Sequence, residues 1–188
     1  MSEARRIPVV SVVGKSDSGK TTLMERLIRA LTARGWHVGT VKHHVHDFDI
    51  DIPGKDSWRH ARAGASVTLV SAPSKLGMIR DVDHEATLDE LLALAGDVDV
   101  LLTEGYRRAG DVRIEVSRRA RSTELVCAPH ELFALATDND ELDVGDVPVF
   151  GLDDAEGLAD LVERSFLLGG PGGGESAASS TNEARDGD

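Results

Sequence analysis

Short, nearly continuous apolar runs alternate along the chain with stretches whose apolar residues recur every three to four positions. Ile7–Val13 is a compact apolar run, suited to a strand buried on both faces of a parallel sheet. Leu23, Leu27, Ala30 and Leu31 then fall on one face of a helix over 19–33, which Gly35 ends. Trp36–Val41 reads as a second strand, and Lys55–Ala63 as a helix stopping near Gly64. Val67–Ser71 and Leu76–Val82 flank Ala72-Pro73-Ser74-Lys75, the pattern of a hairpin. Leu88–Ala95 is a short helix and Val98–Thr103 another buried-type strand. Arg113–Ser117, Phe133–Thr137 and Val147–Phe150 complete the strands, and Ala155–Leu167 predicts a closing helix. Such alternation predicts an α/β sandwich with a mainly parallel sheet, which binds ligands beyond the carboxyl ends of its strands.

From Gly169 the chain turns to Gly, Ser and Pro, too poor in apolar surface to offset its ordering entropy. We expect one domain over 1–168 and a disordered tail over 169–188. Among 188 residues there is one cysteine, which excludes a disulfide framework and any multi-cysteine metal site. No run approaches a membrane span, and the N-terminus has no signal-peptide core. The formal charge of −12 argues against nucleic acid or anionic lipid as a partner. A cytoplasmic protein is expected. Asp outnumbers Glu and Arg outnumbers Lys, which suits either a high-salt cytoplasm or a codon bias, and decides nothing about activity.

The chemistry begins after the first strand. Gly14-Lys15-Ser16-Asp17-Ser18-Gly19-Lys20-Thr21 is a full G-x-x-x-x-G-K-[ST] match, placed between a strand and an amphipathic helix as the motif requires. Its backbone N–H groups would cradle phosphates at the helix's positive end. Lys20 would reach the β- and γ-phosphates, and the Thr21 hydroxyl would ligate Mg²⁺. The expected fold is thus a P-loop NTPase-type three-layer sandwich, and the ligand a nucleoside triphosphate. Lys15, just after the first glycine, resembles the deviant loops of dimeric NTPases such as the ParA and MinD relatives. It would either stabilise phosphoryl transfer across a dimer or add positive potential within its own subunit.

Two acidic segments follow. Val98–Thr103 ends on Glu104 in the manner of a Walker B strand. That carboxylate would hold Mg²⁺ through water, orient the attacking water, or simply cap the strand. Lys42 to Ser57 contains His43, His44 and His46, then Asp49 and Asp51 at alternate positions. The cluster is open to a transition-metal reading. The reading we favour gives Asp49 or Asp51 to Mg²⁺ and turns the histidines and Lys55 toward substrate phosphate or a partner.

With these residues assembled, the chain resembles the molybdopterin-guanine dinucleotide biosynthesis adaptor family, MobB. The matching stretches are the phosphate loop with Thr21-Thr22-Leu23, Val41-Lys42-His43-His44, Asp51-Ile52-Pro53-Gly54-Lys55-Asp56-Ser57, Arg59, Ala63-Gly64-Ala65, Glu104-Gly105-Tyr106 and Arg113-Ile114-Glu115-Val116. The resemblance implies a GTP-binding homodimer with weak GTPase activity. It would assist the guanylyltransferase that joins GMP to molybdopterin in molybdenum cofactor synthesis. It also implies a sheet extended by a dimerising β-hairpin, here 67–82. Gly14 through Thr22 would bind GTP, and the blocks Lys42–His46 and Asp51–Ser57 would line a groove facing nucleotide or pterin. Lys15 departs from the pattern, since many relatives carry an uncharged residue there.

Thr137-Asp138-Asn139-Asp140 has the spacing of the [NT]-K-x-D motif that reads guanine. Asp140 could accept from guanine N1–H and N2–H, which adenine cannot match. Asp138, however, replaces the lysine whose stem packs on the base, and an acidic turn would look the same. A nickel- or zinc-insertion GTPase is the competing function, resting on the histidines. A small-molecule kinase is the third, disfavoured because no acceptor-binding lid is visible. No glutamine stands ready to orient water, which suits slow turnover.

Overall fold

The computed structural model describes residues 6–44, 48–106, 110 and 112–168; the predicted tail, 169–188, and His46 lie outside the described residues. The strands are β1 (Val9–Val13), β2 (Val38–Lys42), β3 (Val67–Ala72), β4 (Lys75–Arg80), β5 (Val100–Glu104), β6 (Val112–Ser117), β7 (Ala134–Thr137) and β8 (Val149–Phe150). The helices are α1 (Lys20–Ala33), α2 (Asp56–Arg62), α3 (Leu88–Ala95) and α4 (Ala155–Val162). Six strands form one sheet in the order β2-β5-β1-β6-β7-β8. Every pairing in it is parallel. The α/β architecture with a parallel sheet is therefore as the apolar runs predict.

Burial explains the order. Every residue of β1 is buried, and so are Val100 to Thr103 of β5 and all four residues of β7. Central strands need apolar side chains on both faces, whereas no residue of β2, at one edge, is fully buried. On one face α1 buries Leu23, Met24, Leu27, Ala30 and Leu31, and α4 buries Ala155, Leu158, Ala159 and Val162. These close over Val10, Val12, Leu102, Ile114, Val116 and Ala136 in one core. Of the polar residues inside the sheet, the buried Thr103 hydroxyl donates to Ser11 Oγ at 2.9 Å across the β1–β5 pair, whereas the buried Ser117 Oγ at the end of β6 has no partner among the described residues.

Two predicted boundaries moved for identifiable reasons. Trp36 is not in β2, because its backbone N–H closes the end of α1 on Leu31 O and its indole N–H donates to Glu163 at 2.7 Å. The closing helix ends at Val162 and continues as a widened turn over Glu163–Leu167. This turn carries Leu167 into the core and sets Phe166 against Phe133, ring centroids 5.2 Å apart.

The hairpin forms its own two-stranded antiparallel sheet, with Leu69 opposite Met78 and Ser71 opposite Leu76. Alternation puts Thr68 and Ile79 on one face, which is at least partly covered, and Val67, Leu69, Leu76 and Met78 on the other. Those four are 43, 60, 69 and 44% exposed. No helix among the described residues is long and apolar enough to cross a membrane.

Candidate functional site

The loop joining β1 to α1 turns on two glycines. Gly14 has φ 145°, and a Cβ there would come within 2.4 Å of Val116 O and 2.9 Å of Ser18 Oγ. Gly19 has φ 103° and stands as the N-cap of α1 without a side-chain cap. The first backbone N–H groups of α1 consequently have no side-chain acceptor and point toward the loop. Asp17 takes the left-handed region at φ 57°, the one non-glycine to do so among the described residues. Ser18 is buried, and its Oγ has no hydrogen-bond partner. A buried hydroxyl with no protein partner, inside an uncapped, glycine-bounded cradle, fits an anion-binding loop.

Lysine and threonine sit where the motif requires. Lys20 Nζ donates to Lys15 O at 2.7 Å, so the ammonium bends back across its own loop. The Thr21 hydroxyl donates to Glu104 Oε1 at 2.9 Å, bringing the end of β5 onto the start of α1. This juxtaposition follows from β5 lying beside β1, with Val12 opposite Glu104. Both groups offer oxygen, a donor set that fits a hard divalent cation such as Mg²⁺. Ser16 on the loop and Thr22 on the first turn of α1 are exposed.

Lys15 reaches the segment that follows β6. Its Nζ donates to Ser122 Oγ at 2.5 Å and lies 3.7 Å from Glu124. Both belong to the β6–β7 connection, which adds residues the motif analysis did not single out. Arg118 Nε approaches Ser18 O at 3.5 Å, and Arg121 lies 3.4 Å from Asp17. The connection is anchored by Glu115, 1% exposed on β6, whose carboxylate accepts from Val126 N at 2.6 Å and Cys127 N at 2.9 Å. Ser117-Arg118-Arg119-Ala120-Arg121, three arginines directly after a buried-type strand, was the available signal.

The second half of the predicted site is only partly gathered. His43 is brought beside the end of β5: its backbone N–H donates to Glu104 O at 2.9 Å. Its Nε2 lies 2.7 Å from Glu85 Oε1, and its ring stands 4.7 Å from that of Tyr106. Burial, and after it the Glu85 charge, raises the Tyr106 phenol above its ordinary pKa. His44 packs near Phe48, ring centroids 5.6 Å apart. Asp49 is exposed. Asp51 instead shapes a turn, accepting from Ile52 N at 2.8 Å and Ser57 Oγ at 3.0 Å, with its other oxygen buried and unpartnered. Lys55 is the N-cap of α2, and Asp56, its first residue, lies 3.6 Å from Arg59. Among the described residues no three His, Cys, Asp or Glu side chains converge as metal ligands. Asp49 and Asp51 are thus not assembled with Glu104 into a carboxylate cluster, and nothing here favours the nickel or zinc reading.

In the segment after β7, Asp140 is exposed, 3.6 Å from Arg119. Asp138 accepts from Arg119 N at 2.6 Å. Asn139 is the buried member, donating its N–H to Thr137 Oγ1 and accepting from Glu141 N.

A parallel sheet whose central strand opens into a glycine-bounded cradle, with threonine and glutamate meeting from adjacent elements, defines a protein of the P-loop NTPase type. More narrowly, a sequence profile of the MobB family, molybdopterin guanine dinucleotide synthesis protein B, matches residues 9–138, and the chain belongs to that family. The molybdopterin-guanine dinucleotide biosynthesis adapter protein of Escherichia coli is 37% identical over 169 residues, covering 86% of this chain and 95% of its own. That of Haemophilus influenzae is 32% identical, covering 85% and 89%. The crystal structure of Bacillus subtilis MobB superposes with a TM-score of 0.69 at 29% identity, over 85% of this chain and 98% of that one.

Proposed function

We propose that this protein is a GTP-binding adaptor of molybdenum cofactor biosynthesis, assisting the attachment of GMP to molybdopterin. The observation that carries the nucleotide part is the Thr21–Glu104 contact at the mouth of an uncapped phosphate loop. The adaptor part rests on relatives named adapter proteins in molybdopterin-guanine dinucleotide biosynthesis, matched over more than four fifths of the chain.

In this reading the loop from Gly14 to Thr22 holds the triphosphate, and Lys20 leaves Lys15 O to neutralise the β- and γ-phosphates. Thr21 and Glu104 hold Mg²⁺, which when bound neutralises charge on the phosphate oxygens. Lys15, held by Ser122 and Glu124, adds positive potential within its own subunit. Asp140 accepts from the guanine edge. Hydrolysis is weak, in keeping with a chain that contains no glutamine to orient water. The protein is cytoplasmic and homodimeric, and the bare hairpin face of Val67, Leu69, Leu76 and Met78 is the surface a second copy covers. His43, His44, Lys55, Asp56 and Ser57 face molybdopterin or the molybdopterin guanylyltransferase.

The test is co-purification. A tagged form of this protein should retain a molybdopterin guanylyltransferase when Mg²⁺-GTP is present and lose it when Lys20→Ala is introduced. Retention indifferent to both nucleotide and Lys20 would remove the GTP-dependent adaptor reading.

A further inference from the structure

The phosphate loop leaves β1 and the Asp140 segment leaves β7, with β6 lying between them in the sheet. Two strand spacings separate β1 from β7, about 10 Å. That is comparable to the reach from the inner phosphate of a nucleotide to the far edge of its purine. A nucleotide with its phosphates in the loop and its base edge at Asp140 must therefore cross the carboxyl end of β6. The first residue beyond that end is Arg118.

Arg118 is exposed, and its guanidinium lies over the phosphate-loop backbone. Nε reaches Ser18 O at 3.5 Å, and an Nη atom lies 3.3 Å from where a Cβ on Gly19 would stand. The contact to Ser18 is long, so it steers the side chain without consuming the planar face of the guanidinium. The next residue ties the two loops together. Arg119 N–H donates to Asp138, and its guanidinium reaches Asp140 at 3.6 Å and Glu141 at 2.6 Å. At Asp138 the base-reading pattern would carry a lysine stem to pack on the purine, and here a carboxylate bound to the neighbouring loop stands instead.

We infer that Arg118 supplies the missing platform: its guanidinium stacks on one face of the purine while its Nε stays against the phosphate loop. This rests on the GTP-binding reading above and adds to it the residue that holds the base. Planar, weakly hydrated and always charged, a guanidinium suits stacking on an aromatic ring far better than an ammonium. The platform tolerates either purine, leaving discrimination to Asp140.

Calorimetry on the full chain separates the possibilities. Wild type, Arg118→Ala and Arg118→Lys are each titrated with Mg²⁺-GTP, Mg²⁺-ATP and Mg²⁺ tripolyphosphate at one ionic strength. Arg118→Ala should weaken GTP binding about tenfold or more, the scale of a lost stacking contact, while changing tripolyphosphate affinity less than about twofold. Arg118→Lys keeps the charge and spares the fold, and should recover less than half of the loss. Equal weakening of GTP and tripolyphosphate would make Arg118 a phosphate counter-charge and overturn the inference, as would unchanged GTP affinity in Arg118→Ala. The wild-type titrations report on the underlying reading separately. If wild type binds ATP as well as GTP, the Asp140 assignment fails and the Arg118 arm is read on either nucleotide. If wild type binds no nucleoside triphosphate, both fail together.

Discussion

Thr21, on the first turn of α1, donates its hydroxyl to Glu104, the last residue of β5, at 2.9 Å across 83 residues of chain. Neither side chain is arranged by its own segment. The contact exists because β5 pairs with β1 in a register that sets Glu104 opposite Val12, just before the phosphate loop. In the proposed site this pair is the Mg²⁺ holder, and the first prediction follows from it. Thr21→Ala and Glu104→Gln should each reduce Mg²⁺-dependent GTP affinity about 10–100-fold, the scale of losing groups that hold or orient a metal. With the metal chelated, both should bind GTP within about threefold of wild type if Thr21 and Glu104 act through the metal. Fluorescent-nucleotide titrations with and without EDTA measure this directly.

The Glu115 carboxylate is the anchor of the β6–β7 connection, buried and accepting two backbone N–H groups. Glu115→Ala leaves the Val126 and Cys127 amides without their acceptor and opens a void, so stability should fall by about 2–4 kcal/mol. Glu115→Gln is isosteric but exchanges one acceptor for a donor facing an N–H, and should cost about half as much. Urea unfolding gives both values. Hydrogen exchange should show faster amides over 118–127 in either variant.

One face of the hairpin carries Val67, Leu69, Leu76 and Met78, all substantially exposed. Exposed apolar patches of this kind are characteristic of interaction surfaces. Leu69→Lys together with Met78→Lys, a directly opposed pair, should convert the proposed dimer to monomer in light scattering. The melting temperature extrapolated to low protein concentration should change little, because Leu69 and Met78 are 60 and 44% exposed and belong to a two-stranded sheet separate from the main core. A dimer unmoved by the double substitution would place the interface elsewhere.

Acid should erode two local ties. Thr87, through its backbone N–H and then its hydroxyl, holds the Glu90 carboxyl below its ordinary 4.5, and Arg26 holds Asp153 below its ordinary 3.8. A carboxyl depressed on folding contributes stability that is complete above its unfolded pKa and lost as pH falls through the folded value. Both contributions are therefore intact at pH 7; the Glu90 one starts to fade below 4.5 and the Asp153 one below 3.8. Glu90→Gln and Asp153→Asn should lower the melting temperature at pH 7, and the gap from wild type should shrink as pH falls below 4.5 for Glu90 and below 3.8 for Asp153. Thermal scans across that range show whether the gap closes. Arg34 makes a useful contrast. Led by its bond to Glu156, with Asp160 and Glu163 adding to it, the Arg34 guanidinium is held well above its ordinary pKa, so acid can act on this cluster only through the carboxylates.

Much of this was legible in the chain alone. The apolar runs marked the buried strands because a parallel sheet demands apolar residues on both faces, and Leu23, Leu27, Ala30 and Leu31 marked the covered face of α1. The phosphate loop was legible because its requirements are local: two glycines at left-handed or crowded positions, then lysine and a hydroxyl on the helix's first turn. Edges were less legible. Trp36 has the composition of a strand residue, yet it is taken by the end of α1 and by Glu163, and no local pattern announces a partner 127 residues away.

Local backbone chemistry, in short range and read in order, sufficed to name the elements, the cradle and the family resemblance. Only the packed chain decided who meets whom. It set Glu104 beside Thr21, turned Lys15 toward Ser122 and Glu124, and spent Asp51 on a turn with Ser57 rather than on a carboxylate cluster. It also laid Arg118 over the phosphate loop. The reason is that strand order and register are settled by burying whole faces at once, a long-range condition that no single segment contains.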